Sequence, residues 1–227
     1  MSKQTPGKLY LADQRGLVET QQHQRYCTFN FGTYAHEYKA AFGRLRAVNE
    51  ELLAGGQPLQ LVAEHAAHVL VLPITGEVQV ALQSAPAETI DVGEIQLLTV
   101  QAGTTVQFTN PYPTELISFL HLWLDVEEPV ESAQQQRFSF DTATIDNQLA
   151  ALVPNQSFSL QLGRFAGRHE EVVSLPPGAH FFAFVLAGAF EVEGRLLHEK
   201  DGLALWDAEQ VELEALSNNA LVLTVVW

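Results

Sequence analysis

The chain has 227 residues, 47% of them hydrophobic, enough for one large domain or two small ones with sizeable cores. Twelve Lys and Arg stand against 27 Asp and Glu, and the formal charge of −15 disfavours both a nucleic-acid backbone and an anionic membrane surface as partners. Cys27 is the single cysteine, which excludes an intrachain disulfide and a cysteine-based zinc site.

The opening Met-Ser-Lys-Gln-Thr-Pro-Gly-Lys lacks the apolar core of a signal peptide, and the apolar run 66–76 is too short to span a bilayer. A soluble, cytoplasmic protein is expected. Leu9 to Ala12 is a short apolar opening, and Arg25-Tyr-Cys-Thr-Phe29-Asn-Phe31 alternates as a strand does. His23 and His36 fall in polar surroundings and are expected in solvent. Phe42 to Val48 predicts a strand, and Asn49 to Gly56 predicts a turn region ending in two glycines.

Gly56-Gln-Pro-Leu-Gln-Leu-Val62-Ala-Glu64-His65-Ala-Ala-His68, continuing to Val80, predicts two strands joined near Pro73 to Gly76. A loop at Ser84 to Glu88 follows, then strands around Ile95 to Val100, Thr105 to Phe108 and Glu115 to Val126. Short strands between Gly, Pro and Asn turns imply an all-β sandwich or barrel. Residues 125–137 are polar and acidic, as a connector would be, and Asp141 to Leu152 has the caps and apolar spacing of one short helix, with Asp141 or Thr142 as N-cap. Strands then resume from Ser157 to Trp227.

The two halves repeat weakly. Pro73-Ile-Thr-Gly76 aligns with Val185-Leu-Ala-Gly188, and Val92-Gly93 with Asp201-Gly202 at nearly the same offset. The expected organisation is an amino-terminal barrel over 1–130, a connector with the short helix over 131–156, and a carboxy-terminal barrel over 157–227.

Several stretches resemble the pirin family of bicupins. Arg25 to Tyr34 followed by Phe42-Gly-Arg-Leu-Arg-Ala-Val-Asn49 is similar to its amino-terminal segment, and Val92-Gly-Glu-Ile-Gln-Leu-Leu-Thr99 to the approach to its second motif. Gln136-Arg-Phe-Ser-Phe140 and Asp201-Gly-Leu-Ala-Leu-Trp-Asp207 look like the carboxy-terminal half of bacterial quercetinase-type pirins. The resemblance implies two tandem cupin (jelly-roll) barrels, the first normally holding iron or another divalent metal. It also implies two activities within the family, a quercetin 2,3-dioxygenase and, in vertebrate pirin, a redox-linked transcriptional cofactor.

Carried over from Gly56, the family's two first-motif histidines fall on Val62 and Glu64, and its first-motif Glu on His68. The second-motif His falls on Val106, and the Glu two residues beyond it on Phe108. Glu64 and His68 are separated by an even number and would share a face of an unbulged strand, either as two metal ligands or as a hydrogen-bonded pair. Two ligands fall short of the three protein ligands that a catalytic metal ordinarily has. In the second half the corresponding positions are Ser174, Pro176 and a lone His180.

The leading expectation is therefore a pirin-like bicupin with no catalytic metal, no cofactor and no assigned catalytic residue. Glu64, His68, Phe108 and His121 would line a site for a small molecule in the first barrel, or the chain would serve a protein partner. The alternative is a quercetin 2,3-dioxygenase-like enzyme using iron or another divalent metal at an atypical Glu64/His68 site.

Overall fold

In a computed structural model, which describes residues 4–82 and 86–227, the alternating segments become strands in two jelly-roll barrels. In chain order the first strands are β1 (Gly7–Tyr10), β2 (Gly16–Glu19), β3 (His23–Cys27), β4 (Leu45–Leu53), β5 (Pro58–Val62) and β6 (Ala67–Thr75). They continue as β7 (Val78–Leu82), β8 (Glu88–Ile90), β9 (Glu94–Val100), β10 (Thr105–Thr109), β11 (Ile117–Asp125) and β12 (Gln134–Ser139). The later part of the chain supplies β13 (Ala150–Ala151), β14 (Ser159–Phe165), β15 (Glu170–Ser174), β16 (Phe181–Ala187) and β17 (Ala189–Val192). The last four are β18 (Arg195–His198), β19 (Gly202–Leu205), β20 (Gln210–Ala215) and β21 (Ala220–Val226).

One unit, residues 15–139, has a sheet of order β12-β9-β6-β11-β4-β3-β2 and a second of order β5-β10-β7-β8. The other, made of the first fourteen residues and 140–227, has β1-β19-β16-β21-β14-β13 and β15-β20-β17-β18. Strand for strand, β9-β6-β11-β4 answers β19-β16-β21-β14, and β5-β10-β7-β8 answers β15-β20-β17-β18. The chain is thus a duplicated, nearly all-β bicupin. Gly76 and Gly188, matched by the sequence repeat, turn the corresponding corners β6–β7 and β16–β17 with φ of 73° and 77°, a region that disfavours other residues.

Each barrel encloses an apolar core. In the first, Val69, Val71, Leu98, Val106, Phe108 and Phe119 meet inside; in the second, Phe165, Phe181, Phe190, Leu203, Val211 and Val222 do. Among the described residues no helix is long and apolar enough to cross a membrane.

Four local expectations are corrected. The strand leading each half lies on the sheet of the other half: β12 pairs with β9, and β1 pairs with β19. The boundaries therefore fall at residues 14/15 and 139/140 rather than at 130 and 157. The carboxylate of Asp201 ties down the end of the leading segment, accepting from the backbone N–H of Ala12 (2.7 Å) and from that of His198 (2.8 Å).

The helix expected over 141–152 is one 3-10 turn, Thr142–Ile145, followed by the short strand β13. Asn147 takes φ of 52°, its N–H donates to the Arg164 carbonyl (2.7 Å) and its Oδ1 accepts from Ala166, so the segment is held against β14 before a second turn can form. The side chain of Thr142, one of the two expected caps, lies outside the described residues, as do Ser84 and Ala85 of the expected loop.

Asn49 to Leu53 is no turn but the second half of β4. Likewise His23 is not in free solvent, as its contacts below show.

Candidate functional site

The inward face of the first barrel carries a line of polar groups in its apolar core. On β4, Asn49 and Glu51 alternate with the buried Ala47 and Leu53, so all four point inward. The register of β3 against β4 sets His23 beside Leu53, Arg25 beside Glu51 and Cys27 beside Asn49. The register of β11 sets His121 beside Asn49, between the inward Phe119 and Trp123.

Glu51 is the hub and is fully buried. Its Oε1 accepts from His121 Nε2 (2.7 Å) and from Arg25 Nε, and its Oε2 lies 2.5 Å from His23 Nε2. Burial pushes the Glu51 carboxyl up, but the hydrogen bonds from His121 and His23, with the charges of His121 and Arg25, more than reverse this and bring it down to about 2.

His121 is also fully buried, and burial pushes its imidazole down, with Arg25 and His23 adding to the effect and Glu51 opposing it. The Trp123 indole N–H donates to His121 Nδ1 (2.7 Å). An indole nitrogen can only donate, so this bond assigns the neutral His121 proton to Nε2, directed at Glu51. Phe108 stacks on the same ring, centroids 5.8 Å apart at 20°.

Cys27 is buried beside this line, and burial pushes its thiol up to about 11, with Arg25 and Arg15 opposing and Glu51 adding to the shift. Iodoacetamide at pH 8 should therefore label the native protein far more slowly than the denatured chain. Equal rates by intact-mass spectrometry would contradict this burial.

A cavity of about 330 Å³ opens beside the network. Arg25, Phe31 and Trp123 form its inner wall, and Arg46, Glu64 and Asp125 stand among its other lining residues. Arg46 is held by Asp125 through Nε (2.6 Å) and Nη2 (2.5 Å). Phe31 and Trp123 make an angled aromatic corner, centroids 5.6 Å apart at 56°.

The four residues singled out from the sequence are distributed unevenly about this site. His121 and Phe108 lie together in the interior. Glu64 is exposed and lines the cavity. His68 is on the face of β6 opposite the inward Ala67 and Val69, its Nδ1 2.9 Å from Thr99 Oγ1, and burial pushes its imidazole down, with Arg44 adding to this. The shared face expected for Glu64 and His68 does not arise, because a bend at residues 64–66 separates β5 from β6 and breaks the strand parity.

The register of β5 corrects the carried-over ligand positions as well. Leu61 and Ala63 point inward, while Val62 is 59% exposed. On β10 the inward residues are Val106 and Phe108. Among the described residues no group of three His, Cys, Asp or Glu is arranged to hold a metal ion. In the second barrel, His180 stacks on Trp227, centroids 5.7 Å apart at 8°.

Glu51, Arg25 and Trp123 were not picked out from the sequence. The available signal was period two: Ala47, Asn49, Glu51 and Leu53 form one face of a strand, the polar pair lying between two apolar residues.

Residues 143–225 match the family profile for the quercetinase C-terminal cupin domain. Over 219 residues the chain is 22% identical to a quercetin 2,3-dioxygenase of Escherichia coli, covering 93% of this chain and 95% of that protein. It is 26% identical over 154 residues to the pirin-like protein YhaK of E. coli, covering 68% and 65%. Among solved structures, the crystal structure of YhhW from E. coli superposes with a TM-score of 0.86 at 21% identity, covering 97% of both chains. A second structure, described as bacterial pirin YhhW from E. coli in complex with nickel(II), superposes with a TM-score of 0.84 at 21% identity, covering 97% of this chain and 98% of that one.

Proposed function

From the premise that the chain belongs to the pirin family, we propose that it is a member working without a catalytic metal, whose first barrel binds a small organic molecule. The observation that carries this reading is the set of side chains facing the barrel interior from β5, the residue that follows it and β10: Leu61, Ala63, Val106 and Phe108. None has a donor atom for a metal.

The polar network beside them is a poor substitute. His121 Nδ1 accepts from Trp123 and its Nε2 proton is directed at Glu51, so neither ring nitrogen has a lone pair for a metal. Arg25 against the Glu51 carboxylate puts a fixed cation where a metal would have to sit. A metal therefore does not fit this donor set.

The cavity supports the binding half of the reading. Its volume of about 330 Å³ is at the lower end of small-molecule sites, and it combines an aromatic corner with polar groups. A cytoplasmic location goes with this function, since a chain with one cysteine suits a reducing compartment.

Untagged protein prepared without chelators should contain iron, nickel, copper and manganese far below one atom per chain. It should show no oxygen uptake with quercetin when any of these metals is added. Stoichiometric metal would overturn the proposal. Quercetin turnover lost in both Glu64→Ala and His68→Ala would instead establish the second reading, a quercetin 2,3-dioxygenase, which the full-length likeness to the E. coli enzyme favours.

A further inference from the structure

We infer that the molecule bound in the first barrel is a small aromatic carboxylate, held by Arg25 and stacked in the corner of Phe31 and Trp123. This rests on the small-molecule reading above and names the ligand's chemical class.

Arg25 is only 5% exposed, so each of its N–H groups needs a partner. Nε donates to Glu51, but Nη2 is buried with no hydrogen-bond partner. The guanidinium carbon sits 5.2 Å from the Phe31 ring centroid, and Arg25 is itself part of the cavity wall. Stacking on an aromatic ring occupies the face of a guanidinium and leaves its in-plane N–H groups available. Nη1 lies beside Gly32, 3.6 Å from where a β-carbon would stand, so no side chain at position 32 covers it.

The accessible end of the guanidinium, at Nη1, therefore suits an anionic acceptor, and a carboxylate accepts from it in a charge-assisted hydrogen bond. The other groups at the cavity sharpen the choice. Arg46 is engaged by Oδ2 of Asp125 through Nε and Nη2, while Asp125 Oδ1 has no hydrogen-bond partner. The indole N–H of Trp123 is taken by His121, so Trp123 offers only ring surface. A purely apolar ligand would give the guanidinium no further acceptor, and a cationic one would meet Arg25 directly. The cavity volume of about 330 Å³ limits the ligand to a small aromatic acid.

The test is calorimetric titration of the full-length protein with benzoate, benzamide and benzylamine, which share a ring and differ in the polar group. Benzoate should bind, with benzamide about tenfold or more weaker, a margin typical of a charge-assisted pair over a neutral one, and benzylamine weakest. Arg25→Met combined with Glu51→Leu, checked for folding by circular dichroism, should bring benzoate and benzamide to similar affinities, because the cation is removed together with its buried counter-charge. Phe31→Leu should weaken both and preserve their ratio.

If benzamide or benzylamine binds as well as benzoate to the unaltered protein, the carboxylate assignment is overturned and the small-molecule reading stands. A benzoate-over-benzamide preference that is unchanged in the folded Arg25→Met, Glu51→Leu protein also overturns it. If none of the three probes binds, both the assignment and the small-molecule reading fall.

Discussion

Replacing Glu51 with alanine should cost about 3–5 kcal/mol of folding free energy, because it leaves the Arg25 guanidinium buried without its counter-charge. His121 Nε2 and His23 Nε2 would lose their shared partner in the same step. The surface ion pair of Arg168 with Glu214 gives a control, since the Arg168 side chain is 84% exposed. Glu214→Ala should lose less than about 1 kcal/mol. Urea unfolding followed by fluorescence measures both. A Glu51→Ala loss no larger than the control would show that the network contributes little. The double replacement Arg25→Met with Glu51→Leu should recover much of the loss, because apolar side chains of similar size avoid the desolvation of both ions.

The second large effect is acid lability. The Glu51 carboxyl is held at about 2 against an ordinary 4.5, so the folded state binds its proton less readily than the unfolded chain. Its contribution is fully present above pH 4.5 and is lost as the pH falls towards 2. A shift of this size corresponds to about 3 kcal/mol. His121 acts in the same direction from higher pH. Its imidazole is held below the ordinary 6.5, so acidification below that value favours the unfolded chain, which takes up the proton more easily. Stability measured by urea titration should therefore fall in two stages on acidification, first below about pH 6.5 and then more steeply below about 4.5. The Glu51→Gln variant should lack the second stage. A flat profile between pH 7 and pH 3 would contradict both shifts.

The architecture was legible in the sequence because turns leave local marks. Gly76 and Gly188 recur in matching contexts, and both take the left-handed conformation at the same corner of the two barrels. The leading strands were harder to assign. Which sheet a short strand such as Gly7–Tyr10 joins is decided by distant partners, here Gly202 to Leu205, and nothing in four residues encodes that choice.

The site was legible only in part. His121 and Phe108 stand out as a polar and a bulky residue in otherwise regular strands, and they do meet. Asn49-Glu50-Glu51 looked like a turn because three polar residues in a row favour solvent. In the structure the side chains alternate, with Asn49 and Glu51 inward and fully buried and Glu50 on the other face, paired with Arg15 at 3.0 Å. Counting from Gly56 put Val62 and Glu64 inward. The period-two pattern of Leu59, Leu61 and Ala63 against Gln60 and Glu64 was the better guide to which face is buried.

The placement of β1 and β12 has a consequence for synthesis on the ribosome. Residues 15–139 contain every strand of one barrel, so that barrel can close soon after Ser139 leaves the exit tunnel. Gly7–Tyr10 is made about two hundred residues before its partner strand Gly202–Leu205. Throughout that interval β1 is an unpaired strand, open to association with other chains. A polypeptide divided at residue 130 would deprive one barrel of β12, whereas division after Ser139 would leave it complete and the other barrel without β1.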